Sequence, residues 1–329
     1  MTPVLAPAAP PGLRPGPRPA FSVVIPAYQA AATIGEAIAS VRSQTAPAVE
    51  ILVCDDGSTD DLEGALEEHR GEVTMIRRTH AGVSAARNAL LEAASGDFVL
   101  PLDADDVYAP TRLERLAELA EARPDLDILS TDADFVVDGR VVGHFHAATP
   151  FPVERQLERI FERCFLICPA MRRKRLVAIG GYDEALSSAE DWDVAIRLIQ
   201  AGARAALVDE PLLEYRLGSS SLTSSRVDTL SERVRVLEKA AASSGHDGPA
   251  RRAAERALSV HRARALQHAA REAVLEGDPG ARSRLLEVAR SRHVAPRARV
   301  GALAASIAPS RSRRVVETTL SESSGRPLG

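Results

Sequence analysis

The sequence predicts an α/β fold: a mixed, mainly parallel sheet followed by a separate C-terminal helical region. Three observations carry this. Four short β-rich runs alternate with helix-patterned segments between Phe21 and Ala122, the order that builds a parallel sheet with right-handed crossovers. Two of those runs end abruptly in carboxylates, at Asp55-Asp56 and at Asp103-Ala-Asp105-Asp106, and the C-terminal edge of an open sheet is where ligands bind. From Ser225 onward the composition changes to Ala, Arg, Leu and Glu with helical spacing.

Met1 to Ala20 is rich in Pro and Gly and lacks the uninterrupted apolar core of a signal peptide, so it reads as a disordered leader with polyproline character. Phe21-Ser-Val-Val-Ile-Pro26-Ala is the first strand, and Thr33-Ile-Gly-Glu36 has capping-box spacing for a helix running to about Gln44. The loop between them, Ala27-Tyr28-Gln29-Ala30, has no glycine, which excludes a dinucleotide fingerprint and a phosphate-cradling P-loop. Glu50 to Cys54 is a second strand with a helix from about Asp61 to His69 behind it. Val73 to Arg77 is a third, leading through Gly82-Val-Ser-Ala-Ala-Arg87-Asn88 into a helix that ends near Ala94. The fourth, Phe98-Val-Leu-Pro-Leu102, runs into the acid cluster, and Pro110 to Ala122 is an amphipathic helix with Pro110 in its first turn.

Beyond it the pattern is less regular. Leu126 to Ser130 reads as a strand, and Phe135-Val-Val and Arg140-Val-Val flank Asp138-Gly139, a hairpin signal that ends the purely parallel order. Val153 to Phe165 is expected to be a helix, Leu166 to Met171 a strand, and Lys174 to Ile179 a helix stopped by Gly180-Gly181. Glu190-Asp191-Trp192-Asp193 opens a further helix, where acids suit the helix dipole. Arg204 to Val208 and Leu212 to Leu217 read as two late strands. The expected organisation is a leader over 1–20, a sheet domain over 21–224, a helical region over 225–308 and a flexible tail over 309–329.

The 329 residues carry a net charge of −4, divided unevenly. From Arg226 onward about 20 basic residues face about 11 acids, so the tail is near +9 and the body near −13. The basic region either rests on anionic lipid headgroups, a peripheral membrane contact, or packs as an ordinary helical subdomain. No nucleic-acid motif or aromatic interleaving accompanies it. Three scattered cysteines, Cys54, Cys164 and Cys168, argue against a disulfide framework and for a reducing compartment. No apolar run approaches the roughly 18 residues a membrane span needs, so the expected location is the cytoplasm, with the inner membrane face as an option.

Acids concentrated within four residues repel one another, and a cation removes the conflict. Carboxylates suit Mg²⁺ or Mn²⁺, which complete their shell with water and substrate phosphates, so the cluster points to a metal–diphosphate site. A solvated acidic turn before Pro110 is the plainer reading of the same residues.

The ordered set Val23-Val-Ile-Pro26-Ala-Tyr28, Asp55-Asp56-Gly-Ser-Thr-Asp60, Gly82 to Asn88, Leu102-Asp-Ala-Asp-Asp106, Gly180-Gly-Tyr-Asp183 and Glu190-Asp191 resembles the family-2 inverting glycosyltransferases of the GT-A fold, of the bacterial single-sugar-transfer type. The resemblance spans about Phe21 to Leu217. It implies a Rossmann-like nucleotide-diphospho-sugar transferase domain. Pro26, Tyr28 and Asp55 or Asp56 would hold the nucleotide base and ribose, with Asp103 towards the ribose. Asp105 would hold a divalent Mn²⁺ or Mg²⁺, with Asp106 in support. Asp191 would be the general base, and Glu190 would help to position the acceptor. Arg87 would touch a phosphate or pin the acid clusters. The implied partners are a nucleotide-diphospho-sugar donor, with UDP-sugars favoured, and a saccharide, lipid-linked or protein acceptor, whose site would be built from Asp132 to Ser188. The product would be a cell-surface polysaccharide or glycoconjugate.

One departure is plain. Polymerising members carry Gln-x-x-Arg-Trp, whereas this chain has Tyr215-Arg216-Leu-Gly-Ser-Ser-Ser, which favours transfer of single sugars. Arg216 and the serines read either as a loop closing over the diphosphate or as a surface loop. A sugar nucleotidyltransferase and a non-catalytic nucleotide-sugar-binding scaffold are the competing readings. The first lacks its glycine-rich loop, and the second does not explain why every expected acid is present.

Overall fold

A computed structural model describes residues 4–217, 226–244, 248–309 and 312–320, and the chain divides into two compact units, Met1–Ser219 and Ser220–Leu328. In the first unit the elements follow in order: β1 (Val4–Leu5), β2 (Phe21–Ala27), α1 (Ile34–Arg42), β3 (Glu50–Asp55), α2 (Leu62–Leu66), β4 (Thr74–Arg77), α3 (Val83–Ala93), β5 (Phe98–Pro101), β6 (Val107–Tyr108), α4 (Arg112–Ala122), β7 (Ile128–Val137), β8 (Arg140–His144), α5 (Phe145–Ala148), α6 (Gln156–Glu162), β9 (Ala170–Arg172), α7 (Arg173–Ala178), α8 (Glu190–Gln200) and β10 (Ala205–Arg216). They form one sheet in the order β1-β10-β7-β9-β5-β2-β3-β4, with β6 added to β10 and β8 to β7.

The four expected strands β2 to β5 pair in parallel, as their apolar runs and alternating helices require. Val23, Ile25, Val53 and Leu100 are fully buried, in one core with Ile34 and Ile38 of α1 and Leu113 and Leu116 of α4. Register then does the positioning. Ala27 lies opposite Asp55, and Val24 opposite Pro101, so the chain leaves all three strands at one edge, where Tyr28, Asp56 and Asp103 begin their loops. The antiparallel β9, between β5 and β7, ends the purely parallel region.

Several expectations are corrected. The leader is not disordered over its described part. Val4 and Leu5 pair antiparallel with Val208 and Leu207, and Arg123 and Arg204 donate to the carbonyls of Pro7 and Ala8. A proline-rich segment has few internal hydrogen bonds to lose, and here its carbonyls are claimed by neighbouring arginines. The two late strands are one, β10, with register shifts on either side of Pro211, where a residue without an N–H is tolerated. The helix expected over Val153–Phe165 contracts to α6, which begins after Arg155 in a left-handed conformation (φ 56°). The strand expected over Leu166–Met171 keeps only its end, because Phe165, Leu166 and Ile167 turn into the interior and Cys168 takes φ 38°. Thr33 sits at the N-cap of α1 without capping it, since its hydroxyl donates to the Ala30 carbonyl. The hairpin is as expected, with Asp138 and Gly139 both at positive φ.

The second unit holds α9 (Arg226–Ser243), α10 (Pro249–Glu276), α11 (Ala281–Arg290), α12 (Pro296–Ile307) and α13 (Arg313–Thr319). Pro249 and Pro296 stand in first turns, and Gly277, at φ 74°, closes α10. Leu285, Val288, Val294, Val316 and Leu320 pack with Ala270, Ala302 and Ala305 in a core of the unit's own. The tail expected to be flexible from 309 onward therefore carries a helix over Arg313–Thr319, anchored by Val316, while 321–329 lie outside the described residues. No helix among the described residues is long and apolar enough to cross a membrane.

Candidate active site

The acid cluster after β5 is folded into a tight turn in which the Asp106 N–H donates to the Asp103 carbonyl at 3.0 Å. β6 follows at once and pairs with β10, an arrangement that buries Asp106 almost completely. One Asp106 oxygen accepts the Arg216 backbone N–H at 2.9 Å, and the other is buried without a hydrogen-bond partner. Burial, and then the nearness of Asp103, pushes the Asp106 carboxyl up to about 8. Asp105 faces solvent, and its carboxyl too is raised by partial burial and by Asp103. Oxygens of Asp103 and Asp106 and the Cys168 sulfur lie within 4.8 Å of one another. Burial holds the Cys168 thiol well above its usual range, so it stays protonated and offers a hard cation little. Mutually repelling carboxylates with an orphaned buried oxygen are a donor set that fits a divalent metal.

The second component is Arg87, on the buried face of α3. Its Nη2 donates to Asp103 Oδ1 at 2.8 Å and its Nη1 to Glu190 Oε1 at 2.5 Å, with the guanidinium 5.5 Å from the centre of the Tyr182 ring. Burial works against this charge, but Asp103 and Glu190 more than offset it, and Arg87 remains firmly protonated. The next residue fixes the neighbouring motif. The Asn88 side-chain amide donates to the Tyr182 carbonyl at 2.9 Å while its oxygen accepts the Tyr182 N–H at 2.8 Å. Gly181 is required there, since its φ is 68° and a Cβ would lie 2.5 Å from Asn88 Oδ1.

The third component is the head of α8, entered through Ala189 at φ 60°. Trp192, buried, donates from its indole N–H to the Ile160 carbonyl at 2.6 Å, and this fixes the helix against α6. Glu190 is thereby held on Arg87. Asp191, one residue on, keeps its edge open to solvent and accepts the Trp192 N–H at 2.7 Å. Crowding by the surrounding protein, and then Glu190, pushes Asp191 up to about 6.

At the far side of the edge the loops after β2 and β3 are stitched together. Gln29 accepts the Thr59 N–H at 2.7 Å and the Ala31 N–H donates to Asp60 at 2.8 Å. Tyr28 is half exposed, and its ring stacks on His80 with centroids 4.2 Å apart. Asp56 accepts the Ala81 and Gly82 N–H groups at 3.1 and 2.7 Å and lies 2.9 Å from His80 Nδ1. Asp55 accepts the Ser58 N–H at 2.8 Å and Arg77 Nε at 3.0 Å; burial raises its carboxyl, but these hydrogen bonds outweigh that and hold it below the usual range.

Residues 22–178 match glycosyl transferase family 2. This segment belongs to that family. The chain is 26% identical over 219 residues to the UDP-Glc:α-D-GlcNAc-diphosphoundecaprenol β-1,3-glucosyltransferase WfgD of Escherichia coli, covering 66% of this chain and 84% of that protein. It is 28% identical over 190 residues to the chondroitin synthase of Escherichia coli, 56% of this chain but only 27% of that much longer protein. Among solved structures, S. aureus TarS 1–349 in complex with UDP-GlcNAc superposes with a TM-score of 0.65 at 21% identity, covering 91% of this chain and 90% of that one. The mannosyltransferase PcManGT from Pyrobaculum calidifontis, in complex with GDP-Man and Mn²⁺, gives 0.58 at 22% identity, with 95% and 86% covered. At such identities these two likenesses show the fold, which is the expected GT-A sheet.

The structure brings Asp103, Asp105, Asp106 and Arg87 of this segment, with Glu190 and Asp191 beyond it, to one edge and Tyr28, Asp55 and Asp56 beside them. Pro26 is a member of β2, opposite Cys54, and presents no hydrogen-bonding side chain. The carboxylates of Asp55 and Asp56 are already engaged, Asp55 by Ser58 and by Arg77 of β4, and Asp56 by the loop after β4. The cluster around the acids includes Cys168 and not Asp105, whose neighbouring charges are Asp103 and Arg216. Arg216 pairs with Glu36 at 2.5 Å, and the serines 219–221 lie outside the described residues. Three contributors escaped the sequence reading. The stack of Tyr28 on His80 was signalled only by a histidine two residues before Gly82. Nothing in the sequence places Cys168 opposite the acids, or the fully buried Arg112, which donates to the Cys168 carbonyl at 2.7 Å and lies over the Tyr108 ring.

Proposed function

We propose that the protein is an inverting glycosyltransferase that moves a sugar from a nucleotide-diphospho-sugar, with UDP-sugars favoured, to an acceptor hydroxyl by direct displacement. The observation that carries this reading is the Arg87 bridge. One buried cation holds an acid of the Asp103–Asp106 cluster and the residue next to Asp191, so that a diphosphate-facing group and a base-bearing helix form one site. A direct displacement needs one base on the face opposite the leaving group. Asp191 suits that task. Its carboxylate is open to solvent, and its raised proton affinity lets it take the proton from the attacking hydroxyl near neutral pH. Glu190, paired with Arg87, stays beside it as a fixed negative charge that orients the acceptor.

Asp105, with Asp103 and Asp106 behind it, would hold Mn²⁺ or Mg²⁺, and such an ion, when bound, supplies the positive charge that a departing nucleoside diphosphate needs. The exposed Tyr28 ring offers a face for the base. Because WfgD acts on a diphosphoundecaprenol-linked sugar by name, a lipid-linked saccharide is the favoured acceptor class, in cell-surface polysaccharide or glycoconjugate synthesis. The expected compartment is the cytoplasm at the inner membrane face.

The test is calorimetric titration with UDP, GDP and dTDP, with and without Mn²⁺, on the protein and on Asp105→Ala. Metal-dependent binding of one nucleotide, lost in the variant, supports the donor site. Binding of none under either condition removes it and leaves the scaffold reading.

A further inference from the structure

We infer that α12 is a membrane-surface docking helix, which lays an apolar ridge and its flanking arginines on an anionic lipid headgroup layer. The inference rests on the second unit alone and stands apart from the transfer chemistry.

Helix α12 is apolar on two opposite sides. Its inner side, Ala298, Gly301, Ala302 and Ala305, is built from small residues and buried in the unit's core. Its outer side repeats at positions 300, 303 and 307, the spacing of a single helical face, and carries Val300 at 69%, Leu303 at 54% and Ile307 at 82% exposure. These are three of the most exposed large apolar side chains among the described residues, and they stand in one row. A surface helix normally turns charge outward. One that turns an apolar row outward as well as inward has that row covered by something, and twelve residues are too few to cross a bilayer.

The surrounding charge selects the cover. Between Val288 and Val316 the sequence holds seven arginines and no acid. Arg297 and Arg299 fall on either side of the outer row, roughly 80° from its middle at 100° per residue. Arg297 is exposed, while Arg299 is partly buried and donates to the Ala289 carbonyl at 3.0 Å, bracing α12 on α11. An apolar row between arginines is the pattern of a helix lying in the plane of a bilayer surface, with the side chains of the row among the acyl chains and the guanidinium groups on phosphates. A second copy of the same helix would bring like charges together, so a symmetric contact is disfavoured by the very residues that favour anionic lipid.

The test is co-sedimentation of the full chain with vesicles of phosphatidylcholine alone or mixed with phosphatidylglycerol. The parent protein is expected to pellet with the anionic vesicles and much less with the neutral ones. The triple variant Val300→Ser/Leu303→Ser/Ile307→Ser, and separately Arg297→Glu, should lower the bound fraction at least about fivefold, with helical circular dichroism and UDP binding unchanged. Equal pelleting of parent and both variants, or none by the parent, overturns the inference. So does a change from dimer to monomer in light scattering of the triple variant with vesicle binding unaltered, since the row would then belong to a second copy.

Discussion

Asp191 is the residue on which the proposed chemistry turns, and its environment makes two opposite demands visible. Asp191→Asn should lower the turnover of sugar transfer by about 10²–10⁴ while UDP binding is retained. In the parent protein the rate should fall as the pH drops through about 6, because a base must be unprotonated to act. Stability moves the other way. The folded carboxyl binds its proton more tightly than the unfolded one, so its favourable contribution is complete below the unfolded value near 3.8 and is lost as the pH rises through about 6. Above that, Asp191→Asn should therefore be the more stable protein, by about 1 kcal/mol after allowance for the carboxylate's open edge, as read from denaturant midpoints at pH 8. Arg87 makes the contrasting case. Arg87→Ala leaves two acids facing each other and should cost about 2–3 kcal/mol, whereas Arg87→Lys restores one contact of the fork and should recover folding but not full turnover. Equal turnover in Arg87→Lys and the parent would contradict the bridge.

At the scale of the element, α3 and the turn before α8 are locked by one glycine. Gly181→Ala meets both a positive φ and a contact of 2.5 Å with Asn88, so it should cost about 2 kcal/mol, with a matching fall in Tm measured by calorimetry. The elements themselves were largely legible in the sequence. Apolar runs bounded by acids or glycine gave β2 to β5, and Asp138-Gly139 gave the hairpin, because in both cases the signal is local. Legibility failed where long-range partners decided the outcome. A two-residue strand such as β6 has no periodicity to read, and it exists because β10 is beside it. Likewise the motif that ends in Arg87-Asn88 is readable as a motif, but its reason, the fork to Asp103 and Glu190 and the amide pair with Tyr182, joins positions up to about a hundred residues apart. The acids could be located from the sequence, whereas their partners could not.

At the scale of the whole molecule, every carboxylate of the site and the core that positions it belong to the first unit. Removal of 220–329 should therefore leave nucleotide affinity within about threefold by calorimetry, since the helices of the second unit have their own core. A loss of all binding would show that the first unit does not stand alone.

The short strand laid down by the leader also has a consequence for how the purified protein behaves. β10 is paired with β7 on one side, and on the other, among the described residues, it is met by β1 at Leu207–Val208 and β6 at Leu213–Glu214. A bare strand edge is a template onto which a neighbouring chain can add, and Val4 and Leu5 occupy part of that template. Trimming the first 20 residues as dispensable would uncover it. Such a shortened protein should be competent in dilute solution and self-associate as its concentration is raised, a liability introduced by the trimming and not by the catalytic unit.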